Sequence, residues 1–230
     1  MNDYTGIDNL EVMRLASNYN HHLCDVVRRH DPGEGPVIDF GAGIGTFSGC
    51  VHDDPSRVLC VEADIALRAQ LEAAGYRTVE SVLDIPDEST AYVYSLNVLE
   101  HVADDAAVIR ELARRIRPGG RLLLYLPAFD LLYSSMDRKV GHYRRYTRTG
   151  ASALLAGTGL TIAMARYEDF LGFFATLAFK WTDQLGSGDI DAHALVLYDR
   201  WMFPVSRMLS RVFGRWIGKN LLLVADKERA

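Results

Sequence analysis

Residues 37–45 read Val37-Ile38-Asp39-Phe40-Gly41-Ala42-Gly43-Ile44-Gly45, a short apolar run that opens into three alternating glycines. Glycine at that density leaves side-chain-free backbone at the carboxyl end of a strand, where open α/β sheets bind their ligands. A dinucleotide pyrophosphate calls for GxGxxG. Counted from Gly41 the sixth position is Thr46, and counted from Gly43 it is Ser48, so that register is absent. Asp39, just ahead of the first glycine, suits a ligand with a cationic or zwitterionic end. Glu62 follows the loop at the distance where a strand-end carboxylate accepts from the hydroxyls of a ribose. Asp84, in Leu83-Asp84-Ile85-Pro86, can accept from the exocyclic amine of an adenine while Ile85 covers the ring. Its bland alternative is a turn aspartate before proline.

A second constellation lies in Asp137-Arg138-Lys139-Val140-Gly141-His142-Tyr143-Arg144-Arg145-Tyr146. An imidazole titrates near neutrality, which makes His142 a candidate general base. The guanidinium forks of Arg144 and Arg145 suit a carboxylate or phosphate. Asp137 can orient His142 or one of the arginines, and Tyr146 completes the candidate set. The alternative is a structural loop in which Asp137 and the arginines form ion pairs. His101, in Leu99-Glu100-His101-Val102, is a weaker base candidate that reads more readily as a helix-capping residue. No metal-ligand spacing is visible and none is expected, with the reservation that ligands can converge from distant positions.

The elements that must position these residues alternate. The spacing predicts helices over 11–30, 64–74, 104–116 and 152–158, and strands over 37–40, 57–62, 91–96, 121–126, 160–167 and 220–225. Strands alternating with helices imply a doubly wound α/β sheet. Residues 127–149 read as polar and irregular.

Five segments in order, VIDFGAGIG, RVLCVEAD, SVLDIPD, SLNVLEHV and RPGGRLLLYLP, resemble the motifs of class I S-adenosylmethionine-dependent methyltransferases. The resemblance implies a Rossmann-like, seven-stranded sheet with the last strand antiparallel, and S-adenosylmethionine as cofactor. Residue by residue it implies that Asp39, Gly41, Ala42, Gly43 and Gly45 hold the methionine part and Glu62 the ribose. Asp84 would read the adenine amine, with Ala63, Leu83 and Ile85 lining the ring; Asn97 and Val98 would sit under the sulfonium, with Tyr19 beside them. The stretch from Leu132 to Thr147 resembles a narrower group that shares the GHYRRYT segment, a helix like Ser17-Asn18-Tyr19-Asn20 and a GKNLL-like closing strand. Ubiquinone-type O-methyltransferases are similar at greater distance. The activity implied is methyl transfer to a small or lipid-like acceptor, with oxygen ahead of nitrogen or carbon. A non-catalytic cofactor-binding module is the rival reading.

The chain divides in expectation into an N-terminal helical cap (1–34), a cofactor-binding core (35–127), and a substrate-side loop, helix and strand (128–166). A helical lid insertion (167–217) and a closing strand with tail (218–230) follow, all within one domain. The lid segment holds 11 of the 23 aromatics and all three tryptophans. Arg207, Arg211 and Arg215 recur every four residues beside an apolar face, which is compatible with peripheral contact to an anionic membrane and equally with a solvated arginine row.

With 25 Lys+Arg against 30 Asp+Glu the net charge is −5, and 49% hydrophobic with 24% charged residues is ordinary for a globular protein. A nucleic-acid partner is not expected. The three cysteines form no CxxC pair and read as small buried thiols of a reducing cytosol. The first residues lack a signal-peptide pattern, and the apolar run Phe170–Phe179 is too short to span a bilayer. A cytoplasmic enzyme is the expectation.

Overall fold

The structure, a computed structural model, describes residues 12–51, 55–182 and 191–229. Five strands, β1 (Val37–Phe40), β2 (Val58–Val61), β3 (Arg77–Val79), β4 (Thr90–Leu96) and β5 (Ile116–Pro127), run parallel. With β6 (Leu160–Glu168) and β7 (Asn220–Lys227) they form one sheet in the order β3-β2-β1-β4-β5-β7-β6. β7 is antiparallel to both of its neighbours.

The central strands are buried on both faces, as their unbroken apolar runs require. Side chains alternate between the two layers with the period of two that a strand imposes. Ile38, Val93, Leu122, Leu124 and Leu223 enter one core, while Val37, Tyr92, Tyr94, Leu123 and Leu222 enter the other. Helix α1 (Ser17–His30) covers the second core with Leu23, Val26 and Val27. Helix α2 (Ile65–Ala73) adds Leu71 to it, and Asp64 caps that helix by accepting from Ala66 N and Leu67 N. Helix α3 (Asp105–Arg115) packs Ile109, Leu112 and Ala113 on the first core and is capped by Asp104. Below β5 two short helices follow, α4 (Ser135–Lys139) and α5 (Arg148–Leu154).

Between β6 and β7 the chain builds a helical lid from α6 (Phe170–Thr182), α7 (Ala192–Leu197), a π-helical turn (Tyr198–Met202) and α8 (Phe203–Phe213). Two buried aspartates fasten it. The Asp169 carboxylate accepts from Tyr198 OH (2.5 Å), Ser206 Oγ (2.7 Å) and Gly172 N (3.1 Å). Asp199 accepts from the Asn18 and Tyr19 amides at 2.9 and 2.8 Å, so the lid caps α1 across 180 residues of sequence. Among the described residues no helix is long and apolar enough to cross a membrane.

The structure differs from the sequence reading in several places. Three-residue β3 escaped notice because a strand that short shows no periodicity. The helix expected over 152–158 lies at Arg148–Leu154, started by Thr147 Oγ1 accepting from Gly150 N. The irregular stretch 127–149 contains α4, and the helix expected from residue 11 has a break at Ala16 before α1. The cysteine expectation is corrected. Cys24 of α1 and Cys50 are joined as a disulfide, with Cα atoms 5.0 Å apart, and only Cys60 is a free thiol. Their 26-residue separation carries no motif, so tertiary packing alone brings them together.

Candidate functional site

The glycine loop turns at the end of β1 with φ of +77° at Gly41, +55° at Gly43 and +79° at Gly45. These left-handed values favour glycine. At Gly41 the approach is also tight: a Cβ there would overlap the Val98 side chain. Gly43 N–H donates to Glu62 Oε2 at 2.8 Å, and Asp64 N–H donates to Glu62 Oε1 at 3.0 Å. The carboxylate at the end of β2 therefore ties the loop to the start of α2. Arg68 fixes the same turn by donating to the Glu62 and Ala63 carbonyls, both at 2.8 Å. Asp39 lies below this surface, 4% exposed, accepting from Ser48 Oγ at 2.7 Å. Burial pushes its carboxyl up to about 6, against the opposing hydrogen bonds of Ser48 and Tyr94.

Beyond Glu62, Leu83 is well exposed, Ile85 is buried in the core, and Asp84 accepts from Ser81 N in a capping box. Asn97 ends β4 in the left-handed region (φ +54°), its amide held by the Tyr125 carbonyl at 2.8 Å. Tyr19 reaches it from α1, and burial raises the Tyr19 phenol far above its ordinary value, against the lowering influence of Asn97. Open backbone and a strand-end carboxylate thus adjoin at the carboxyl ends of the neighbouring strands β1 and β2, with Asn97 directly after β4.

Beside Asn97 lies a cavity of about 210 Å³, largely apolar in lining. Tyr19, Phe47, Asn97, Met136, Val140 and Lys219 are among the residues around it. One wall carries Glu100, His101, His142 and Arg145. The turn Leu99–His101 directly after β4 supplies the first two. His142 comes from the loop after α4, which is pinned back when Tyr143 N–H donates to the Glu100 carbonyl (2.7 Å) and Tyr133 OH to the His142 carbonyl (2.6 Å).

Asp137 is fully buried and organises this loop. It faces His142 Nδ1 at 2.7 Å, receives Arg145 Nε and Nη2 at 2.8 and 2.9 Å, and accepts from Ser134 N at 2.9 Å. Burial alone would raise its pKa, but the hydrogen bonds from His142 and Arg145 hold it well below the usual carboxylate range. The other ring nitrogen, His142 Nε2, faces Glu100 Oε1 at 3.9 Å.

The two arginine forks expected to hold a substrate anion are committed within the protein. Arg145 pairs with Asp137, and Arg144 pairs with Asp105 (2.8 Å) and donates to the Ala103 carbonyl (2.7 Å). Tyr146 OH donates to Asp105 at 2.9 Å and is buried. Lys219 also lines the cavity, with Arg14 and Arg145, and burial pulls its ammonium below its ordinary pKa. Glu100, Lys219, Asp169 and Asp199 were not singled out from sequence. Glu100 adjoins a residue that was, whereas Lys219 and both lid aspartates gain meaning only from partners far along the chain.

Residues 38–124 match the family model described as a methyltransferase domain. A probable S-adenosylmethionine-dependent methyltransferase of Mycolicibacterium smegmatis is 28% identical over 162 residues, 67% of this chain and 61% of that protein. A ubiquinone biosynthesis O-methyltransferase of Xanthomonas oryzae pv. oryzae is 34% identical over 110 residues, 43% of this chain and 46% of that one. The methyltransferase solved in complex with the Haloferax volcanii Trm112 activator superposes with a TM-score of 0.66 at 16% identity, covering 98% and 96% of the two chains. The chain spans from 33% to 61% of the length of the first curated relatives it matches. Residues 38–124 are those of a methyltransferase domain, and the chain is similar to S-adenosylmethionine-dependent methyltransferases in sequence and to solved methyltransferases in fold.

Proposed function

We propose that this protein transfers the methyl group of S-adenosylmethionine to a hydroxyl oxygen of a small or lipid-like acceptor held in the cavity. The observation that carries the reading is a largely apolar cavity whose lining includes Glu100, His101 and His142 beside Asn97, groups of the kind that can take up a proton. Bound S-adenosylmethionine supplies an already activated methyl on a sulfonium. The protein then has to align the acceptor, exclude water and take away one proton.

Gly41, Ala42, Gly43 and Gly45 would hold the methionine part through backbone groups, with Asp39 beneath them, and Glu62 would take the ribose. Ala63, Leu83, Asp84 and Ile85 would line the adenine. Asn97, Val98 and Tyr19 would border the transferring methyl. The acceptor's proton is lost at the Glu100–His101–His142 wall, where Asp137 fixes the His142 ring. Lys219 is suited to an acidic substituent on the acceptor, since both arginine forks are already paired.

The test has two parts. Titration calorimetry should show micromolar binding of S-adenosylhomocysteine and none of NADH. Labelled S-adenosylmethionine with matched apolar hydroxyl, amine and enolisable acceptors should then methylate the hydroxyl compounds. Methylation confined to amines or carbon would overturn the oxygen assignment.

A second reading concerns the lid. Trp201, Val205, Met208, Val212 and Trp216 are exposed, and Arg207 and Arg211 border a small basic niche with Arg29 and Arg166. Peripheral contact with an anionic membrane is the function this surface would serve. α8 ends at Phe213, so Arg215 falls outside the helical row and lies over the Trp216 ring at 5.5 Å.

A further inference from the structure

A second concave region, of about 70 Å³, lies between α1, β6 and α8 and shares no lining residue with the cavity. Four arginines wall it: Arg29 from α1, Arg166 from β6, and Arg207 and Arg211 one turn apart on α8. His22 and Glu168 complete the charged and titratable lining. Four guanidinium groups against one carboxylate leave a surplus of three positive charges, in a chain whose net charge is −5. Like charges gathered this closely repel one another, and an anion among them relieves the repulsion.

The one carboxylate is already committed. Arg166 Nη2 pairs with Glu168 Oε1 at 2.5 Å, and His22 Nε2 lies 3.5 Å from Glu168 Oε2. Arg29, Arg207 and Arg211 make no hydrogen bond or ion pair among the described residues. Two polar groups of the niche are also buried without a match. His22 is 5% exposed, and neither its ring nitrogens nor Arg166 Nε makes a hydrogen bond among the described residues. Proteins rarely bury donors in this way, because an unmade hydrogen bond costs the full desolvation of the group.

The shape of the missing partner follows from the donors. They come from three elements, so an acceptor must present oxygens in several directions, which a tetrahedral phosphate does and a flat carboxylate does not. Guanidinium forks match phosphate oxygens in pairs. The volume admits several waters or one such oxyanion.

We propose that this niche binds the phosphate or diphosphate group of an organic phosphate, carried by a soluble compound or by a lipid. Its oxygens meet the unpaired forks of Arg29, Arg207 and Arg211, together with Arg166 Nε and the His22 ring. Binding joins α1 to the lid helix α8, which already touch where His22 packs edge-on against Phe203 with ring centres 5.7 Å apart. The arginine row is thereby divided: Arg207 and Arg211 serve the niche, whereas Arg215 lies over Trp216. The assignment is independent of methyl transfer.

The test titrates the whole chain with sodium pyrophosphate by calorimetry, at constant ionic strength. One pyrophosphate should bind per chain, and saturably. Arg207→Gln combined with Arg211→Gln removes two unpaired forks and should weaken binding at least about tenfold. Arg200→Gln combined with Arg215→Gln, two lid arginines outside the niche, should leave it unchanged. Cooperative melting shows that both variants are folded. Absence of saturable binding by wild type overturns the proposal, as does full affinity in the Arg207/Arg211 variant or an equal loss in the Arg200/Arg215 one. Flotation with phosphatidic acid vesicles, against phosphatidylcholine alone, then distinguishes the carriers. Flotation that pyrophosphate competes away supports a lipid phosphate, and pyrophosphate binding without flotation supports a soluble one.

Discussion

The two sides of the cavity are built by opposite strategies. On the proposed cofactor side, the candidate residues lie close in sequence: Gly41 to Gly45 after β1, Glu62 after β2, and Asn97 after β4. Their contacts are short-range, such as Gly43 N–H to Glu62. On the acceptor side, the side chains are positioned by partners far apart, such as Asp199 capping α1 or Tyr143 N–H held by the Glu100 carbonyl. The loop side is a surface of open backbone, whereas the cavity side carries a buried polar network around Asp137. A site made of backbone tolerates many side chains but needs glycine; a buried network tolerates few changes because each member leaves another unsatisfied.

The contrast can be broken most sharply at Asp137. Asp137→Ala strands the Arg145 guanidinium in the interior and should cost about 3–5 kcal/mol of stability, read as a large loss in chemical denaturation. A near-neutral variant would show that the acceptor-side network is dispensable. Asp39→Asn should act in the opposite sense. Burial puts the Asp39 pKa near 6 in the folded chain against 3.8 ordinarily, so above pH 6 both states carry the charge, but only the folded chain holds it away from water. That cost, up to about 3 kcal/mol, is fully present above pH 6 and disappears as pH falls from 6 through 3.8. The variant should therefore melt higher than wild type at pH 7, with the gain vanishing toward pH 4, while S-adenosylhomocysteine binds it more weakly. Identical melting at both pH values would remove Asp39 from this account.

Glu62→Ala should weaken S-adenosylhomocysteine binding by roughly 1.5–3 kcal/mol, the worth of a charge-assisted hydrogen bond. Its melting temperature should move little, because Glu62 is partly exposed. Calorimetry of the folded variant decides this, and unchanged affinity would take Glu62 out of the proposed site. Gly41→Ala should lose still more cofactor affinity, since the new Cβ meets Val98 at a positive φ. The smallest effect is expected at the lid. Replacing Arg207, Arg211 and Arg215 together with glutamine should reduce flotation with anionic vesicles without changing cofactor binding. Equal flotation of both proteins would leave the arginines as a solvated row.

Much of the cofactor side was legible from residue types. The glycine loop, the strand-end Glu62 and the alternation of strands and helices depend on φ preferences, strand periodicity and spacing, which are local properties of the chain. The order of elements and the antiparallel closing strand followed from the resemblance. In the GHYRRYT stretch the sequence showed which residues matter without showing how. Asp137, His142 and Arg145 were singled out, but the arginine forks turned out to face aspartates of the protein itself.

What the amino-acid sequence determined by itself was therefore the alternation of strands and helices and the glycine loop, because each rests on near neighbours, while the cofactor followed from the resemblance. The tertiary structure decided the Cys24–Cys50 pairing, the fastening of the lid by Asp169 and Asp199, and the meeting of Glu100 and His101 with His142. Those contacts join segments tens to hundreds of residues apart. Only the packing of β4, the loop after α4 and the lid on a common sheet edge brings them within reach, and no local pattern encodes that distance.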